Sequence, residues 1–573
     1  MTRSLLAPAY ALVLALLVTA PLLAPGYLLI RDAVSTPRSY LSDAALGLSE
    51  AAPRALPQDF AIGLATTLVD GGVVVKALLV AGLFLAGWGA ARLVAAVLPE
   101  AGAAGQFVGV TVAVWNPYVA ERLLQGHWSL VVGYGCLPWV ATTMLRLRTS
   151  DVAPWFEVCA LVFWIGVAGL TPTGLMLAAA VALTCVFAPG AGRPRWWCAA
   201  VSLGASVLVA LPWLTAATMA GSLSSTQAEG VSAFAARAEP GLGTLASLAS
   251  LGGIWNADAV PASRTTAFAI VGAVVLLGIV ALGLPTVVRR PVAVPLLVLA
   301  AVAVVVPAAM ATGPGMALAE AAIRTLPGLG VVRDAQKWVA LAVPAYTLAG
   351  AAAVMTLRNR IPAVATAVIC CAALLVTLPD LAWGVGAKVS AVQYPPGWAK
   401  ASALINADPR PVAVLPVDSM RRFAWAGDAP VLDPLPRWVR ADVLTTGDLT
   451  IGGRTVPGEG QHARDVQRLL LAGADRDRLA AAGVGWVVVE NIWNTGLSAP
   501  ALPLPVAYRD QDLVLYWVGG DHPAHAGRGV MLAVHWVWLG TLIVGLAGAI
   551  VGWTRFLRPR LSRVRTMTDS TEG

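Results

Sequence analysis

A carboxylate fixed at the end of a membrane span can act as a base at the bilayer surface, and Asp32 is the first acidic residue after the first hydrophobic stretch. Its position follows directly from that stretch, so a rigid element holds it near the lipid headgroups, as a catalytic base requires. A second cluster lies in the connector Trp115-Asn116-Pro117-Tyr118, which continues through Glu121, Arg122 and Gln125 to Gly126-His127. Asn116-Pro117 interrupts the third apolar run. Irregular backbone bearing ionisable groups at this depth is tolerated only where it lines a cavity or is covered by protein. Asn116, Tyr118 and Glu121 are therefore read as cavity residues. The plainer alternative is a Glu121–Arg122 ion pair, with His127 capping the next span. The third cluster is Arg333 and Lys337, four apart and so on one face of a helical turn, with Asp334 beside them. Two such cations suit a phosphate, the arginine as a fork and the lysine as a point charge; the alternative is a pair of anchors snorkelling to headgroups. Trp255, Asn256 and Asp258 combine an aromatic platform with hydrogen-bonding groups, as a sugar site does, although tryptophan also belongs to any interfacial belt. Asp59, further along the loop that Asp32 opens, is grouped with the same cavity.

These residues must be positioned by elements that lie mostly in lipid. Of 573 residues 58% are hydrophobic and only 12% charged, which gives a mean hydropathy of +0.74. The net charge of +8 is spread in small groups between apolar runs, so it is no nucleic-acid footprint. Arginine far outnumbers lysine and alanine is abundant, a composition suggesting a GC-rich bacterial genome. All six cysteines sit in apolar runs, which points to buried thiols rather than disulfides or a zinc site. The stretch 5–30 is too long for a signal-peptide core and is read as a retained first span.

Crossing ~30 Å of hydrocarbon takes about 20 apolar residues, and that window predicts about twelve spans. They centre on 5–30, 73–98, 103–121, 128–145, 154–170, 172–188, 197–217, 265–287, 292–311, 338–357, 361–384 and 528–553. With the N-terminus inside, Arg146/Arg148, Arg193/Arg195, Arg289/Arg290, Arg358/Arg360 and the basic tail 554–573 all fall in the cytoplasm. Loops 31–72, 218–264 and 312–337 then face outward, as does the polar segment 385–527. That segment alternates strand candidates (411–417, 484–490, 513–518) with helix candidates (398–406, 462–472, 475–483), the pattern of an α/β domain. The expected fold is thus an α-helical polytopic membrane protein. Residues 1–384 form the transmembrane domain, 385–527 an extracytoplasmic α/β domain, 528–553 the last span and 554–573 a cytoplasmic tail.

On these residues the chain resembles the GT-C superfamily of integral-membrane glycosyltransferases, and in particular actinobacterial cell-envelope arabinofuranosyltransferases. The resemblance rests on Asp32 opening the first outer loop, the 115–126 connector, the block Arg333-Asp334-Ala335-Gln336-Lys337-Trp338, and an α/β domain before a last span. It implies transfer of arabinofuranose or mannose from a polyprenyl-phosphate donor to a cell-envelope polysaccharide or glycolipid, at the outer face of the cytoplasmic membrane. Asp32 would be the base, Arg333, Lys337, Arg122 and His127 would bind the donor phosphate, and Asn116, Tyr118, Glu121, Trp255, Asn256, Asp258 and Asp59 would line the acceptor cavity. Many family members carry two adjacent acids at the first loop; this chain has Arg31-Asp32. No metal ligand is assigned, few outer carboxylates cluster, and participation of a divalent metal stays open. A lipid-linked sugar flippase and a non-catalytic envelope scaffold are the competing classes.

Overall fold

The computed structural model describes residues 5–50, 55–150, 155–219, 230–326, 329–417, 419–451, 454–490, 502–521 and 525–569. Each of the twelve apolar segments carries a helix, but the helices differ in reach. Among the described residues eight are long and apolar enough to cross a membrane: Leu6–Leu23, Gly71–Val97, Trp128–Thr149, Arg195–Met219, Phe268–Val288, Pro291–Met310, Ala335–Leu357 and Arg528–Gly552. Ala363–Val376 and Pro379–Gly386 form a pair bent by 74°, and Trp155–Ala168 and Pro172–Cys185 are shorter. The segment expected at 103–121 is broken: one helix runs Gly102–Val114, and a second starts at Pro117. Twelve full-length spans are therefore not what the helix lengths give.

The outward faces of these helices are apolar. Val207, Val274, Val298, Val302, Val368, Val544 and Ile550 are all exposed, a belt that suits lipid rather than water. The inward faces are lined by small residues. A Cβ on Gly82 or Gly135 would press into the facing helix backbone, so Gly71–Val97 and Trp128–Thr149 pack closely. The arginine clusters Arg146/Arg148 and Arg290 lie at the ends of their helices remote from Asp32; Arg146 pairs with Glu157 and Arg290 with Glu100.

The α/β domain is built on a five-stranded sheet in the order Val506–Arg509, Leu513–Trp517, Trp486–Glu490, Val412–Leu415, Val443–Leu444. Trp486–Glu490 runs antiparallel to Leu513–Trp517 and parallel to Val412–Leu415. Both faces are covered, which is why these strands read as continuous apolar runs rather than alternating ones. Val412, Val414, Trp486, Val488 and Leu515 face Trp398, Phe423 and Trp438, whereas Ala413, Leu415, Val487, Val489 and Val514 face Val466, Leu470 and Leu479. Trp398 and Trp438 are thereby core residues.

Two small pairings tie this domain to the first loop. Tyr27–Ile30 pairs antiparallel with Ala33–Val34 on one edge and with Ala391–Val392 on the other. Arg31 also forms a parallel bridge with Val431.

Candidate active site

The strands Tyr27–Ile30 and Ala33–Val34 set Ile30 opposite Ala33, leaving Arg31 and Asp32 as the two residues of the turn. Arg31 takes a φ of +47°, in the left-handed region that a side chain disfavours. Its partners explain why it stays there. Its N–H donates to the Pro430 carbonyl at 2.8 Å and its carbonyl accepts from the Leu432 N–H at 2.9 Å. Its guanidinium donates to the Leu124 carbonyl and, at 2.6 Å, to that of Asp258. Where the resemblance would place a second acid, this chain has a buried structural tie.

The 115–127 connector meets the turn from the other side. Asn116 caps the Pro117–Leu124 helix, its side-chain oxygen accepting from the Val119 N–H at 3.1 Å, and Pro117 takes the first helical position, where its missing N–H costs nothing. That helix ends at Gln125, whose carbonyl accepts from the Asp32 N–H at 3.2 Å. Gly126 follows at φ +80°, and a Cβ there would lie 2.3 Å from the Ile30 carbonyl oxygen and 2.4 Å from the Ala33 nitrogen. Only glycine permits this approach of the two loops.

The Asp32 carboxylate is held through one oxygen. Oδ2 accepts from Gln125 Nε2 at 3.1 Å and lies 2.9 Å from His127 Nε2. Arg122 Nη1 lies 3.1 Å from His127 Nδ1 and can only donate, so Nδ1 accepts and Nε2 carries the hydrogen given to Asp32. Burial drives the His127 pKa below its ordinary value despite the aspartate, which keeps the ring neutral. For Asp32 burial works upward, but the His127 and Gln125 hydrogen bonds and the Lys337 charge outweigh it and hold the carboxyl below its ordinary pKa. Among the described residues Oδ1 has no hydrogen-bond partner, and the side chain is 37% exposed. The result is an ionised carboxylate with one oxygen fixed and one open.

Behind the histidine, Arg122 is fully buried and bonded to Asp334 (Nη1–Oδ2 3.1 Å, Nη2–Oδ1 3.4 Å) and to Gln336 Oε1. Burial would raise the Asp334 pKa, but Arg122 and Lys337 hold it far below the usual carboxylate range. Gln336 Nε2 donates to Glu121 Oε2 at 2.8 Å, and Glu121 Oε1 accepts from the Gly253 N–H at 3.1 Å. Lys337 Nζ lies 3.4 Å from Asp334 Oδ2 and stays partly exposed. Asp32, His127, Arg122, Asp334 and Lys337 thus form one continuous chain of contacts drawn from three distant stretches of sequence.

Other expected residues take different places. Asn116, Tyr118 and Glu121 are buried in protein rather than lining an open cavity: Asn116 as a cap, Tyr118 stacked on Tyr134, Glu121 as the anchor for Gln336 and Gly253. Burial and the neighbouring Glu239 push the Glu121 pKa well up. Arg333 does not share a helical face with Lys337. It precedes the Ala335–Ala342 helical turn and lies over the Phe234 ring, 4.4 Å from its centroid. Trp255 packs edge-on against that same ring. Asn256 donates to Gln125 Oε1 at 2.8 Å and so supports the group that holds Asp32, whereas the Asp258 side chain is exposed and its contacts run through its backbone, the carbonyl to Arg31 and the N–H to Asn256 Oδ1. Asp59 is removed from this cluster; it pairs with Arg437 at 3.2 Å and lines a separate cavity. Gln336 and the buried Glu239–Arg264 pair went unanticipated, since nothing local in the sequence distinguishes them. Among the described residues no three His, Cys, Asp or Glu side chains gather as a metal ion would need.

No family model matches the chain, and no curated protein matches it. Among solved structures, it is similar to a single-particle cryo-EM structure of a mutant of arabinofuranosyltransferase AftD from Mycobacteria, with a TM-score of 0.48 and 17% identity. The match covers 91% of this chain and 42% of that one, so this chain spans less than half the length of the solved one. At that score and identity the likeness assigns neither a family nor an activity.

Proposed function

We propose that this chain is a membrane glycosyltransferase of GT-C type that moves a sugar, arabinofuranose or mannose, from a polyprenyl-phosphate donor to a cell-envelope polysaccharide or glycolipid. The observation that carries the reading is the Asp32 carboxylate, anchored through Oδ2 and open at Oδ1, within the electrostatic reach of the Lys337 ammonium at the foot of a membrane-length helix. The reaction is a single inverting displacement. An acceptor hydroxyl gives its proton to Asp32 Oδ1 as its oxygen bonds to the anomeric carbon, and the bond from that carbon to the phosphate oxygen breaks. The phosphate leaves with the electron pair, and Lys337 stabilises it. His127 is a positioning residue, because its hydrogen already points at Asp32, and Arg122 fixes its tautomer. Confinement of a lipid donor to the bilayer supplies orientation. In this reading Asp32 faces the outer leaflet and the arginine clusters face the cytoplasm.

The test is transfer from a labelled polyprenyl-phosphate sugar to an oligosaccharide by the purified protein in lipid. Asp32→Asn keeps the shape and the Oδ contact but cannot take a proton, so product formation falls by about 10²–10⁴-fold. Undiminished transfer by a folded Asp32→Asn protein sinks the assignment.

A further inference from the structure

A second cavity of about 250 Å³ opens between the first loop and the α/β domain. Residues of the loop (Tyr40, Ala44, Asp59) face residues of the domain (Ser419, Asp433, Thr445) across it. Its charges cancel locally: Asp59 pairs with Arg437 at 3.2 Å, and Asp433 with Arg421 at 3.6 Å. Glu490 also bonds Arg421, at 2.8 Å, and burial together with the neighbouring Asp433 pushes its pKa well above the ordinary carboxylate value. A balanced lining of this kind offers no net field for a phosphate or for an ammonium ion.

What it offers is unspent hydrogen-bonding capacity. The hydroxyls of Tyr40, Ser49 and Thr445 line the cavity and make no hydrogen bond among the described residues; the buried Ser419 Oγ is likewise unpaired. Asp59 uses Oδ1 for both Arg437 and Gln58, which leaves Oδ2 open. The buried Ser419 Oγ without a partner is the costly one, and a ligand bearing several hydroxyls, each a donor and an acceptor, would satisfy it while also pairing with the accessible hydroxyls of the half-buried Tyr40, Ser49 and Thr445. The volume is on the order of one or two sugar rings, just under the ~300 Å³ at which drug-sized sites begin.

We propose that this cavity binds one or two residues of a neutral saccharide, separately from the Asp32 site. The two are mechanically joined. Leu432 and Asp433 line the cavity, and the Leu432 N–H donates to the Arg31 carbonyl at 2.9 Å, one residue before Asp32. A glycan seated here is therefore held beside the turn that carries the base. Its role as the acceptor rests on the proposed sugar transfer; its binding does not.

The experiment separates these. Full-length protein in nanodiscs is titrated with neutral arabinan and mannan fragments and, in parallel, with a sugar phosphate, with saturation-transfer NMR as the readout. Ala44→Trp fills the cavity, and Ser419→Ala with Thr445→Val removes two hydroxyls at nearly constant volume. Binding of a neutral fragment that weakens at least tenfold in both variants and is unchanged in Asp32→Asn supports the site, whether or not transfer is ever detected. Binding that is indifferent to both variants, binding of the sugar phosphate alone, or no saccharide binding by the folded protein overturns it. If the proposed transfer also holds, the same variants raise the acceptor KM and leave kcat unchanged.

Discussion

Replacing His127 by alanine tests the central electrostatic argument. The imidazole gives Asp32 its largest downward influence, and without it burial dominates and the carboxyl pKa rises. A hydrogen bond to an ionised group contributes about 1.5–3 kcal/mol. The Asp32 side chain is 37% exposed, so water replaces part of that bond and the lower figure applies. At about 1.4 kcal/mol per tenfold, the acid limb of kcat/KM should move upward by about one pH unit. The direction follows from the linkage: a carboxylate whose folded pKa is depressed stays active until pH falls through that low value, and the variant loses activity at a higher pH. The assay is sugar transfer across pH 3.5–8 (roughly the span between ordinary carboxylate and imidazole values). His127→Gln retains an N–H donor and should move the limb less. An acid limb unmoved in His127→Ala, or moved equally in both variants, would refute the proposed division of labour between the two residues.

Three further outcomes follow from the same geometry. Lys337→Gln removes the ammonium whose charge acts on Asp32 and should raise the donor KM and lower kcat, with Lys337→Arg recovering part of the loss; steady-state kinetics against donor concentration decide it. Gly126→Ala forces a Cβ to within 2.3 Å of the Ile30 carbonyl at a φ of +80°, so thermal unfolding in detergent should shift down by several degrees, at a cost of about 2 kcal/mol or more. Arg264→Met leaves Glu239 buried without its bidentate partner and should destabilise the protein by about 3–5 kcal/mol, seen as lost expression of monodisperse protein, with Glu239→Gln combined with Arg264→Met recovering part of it.

Much of the candidate site was legible because it sits where the apolar pattern breaks. Asn116-Pro117 and Gly126-His127 announced irregular backbone between two helices, and the structure brings the second of them next to Asp32 while the first starts the short helix that leads to it. Arg122, His127 and Lys337 were legible as ionisable groups at span boundaries, where their presence needs a reason. What was not legible is direction. Alternation and charge do not say that Glu121 points inward to Gln336, or that Arg333 lies over Phe234 rather than beside Lys337. Arg31 is the sharpest case: its type suggested a missing acid, yet its role depends on carbonyls at Leu124 and Asp258, far away in sequence. Helix length was overread where an apolar window says nothing of where a helix stops: 154–170 and 172–188 hold only the shorter helices Trp155–Ala168 and Pro172–Cys185. Asp59 shared a loop with Asp32 but not a site, because the Arg437 that captures it belongs to the α/β domain.

The bridge between Arg31 and Val431 has a consequence for how the protein is made. The two residues are about 400 positions apart, and closing so long a loop comes late because its entropy must be met before the contact gives anything back. All the long apolar helices but the last precede Val431, so they can enter the membrane while the Asp32 turn still lacks its partner strand. The turn that carries Asp32 gains these contacts only when the α/β domain has folded against the bundle. If the proposed transfer holds, a chain ending before that strand would be inserted yet inert, and completion of the Asp32 turn would be a step of its own, later than insertion.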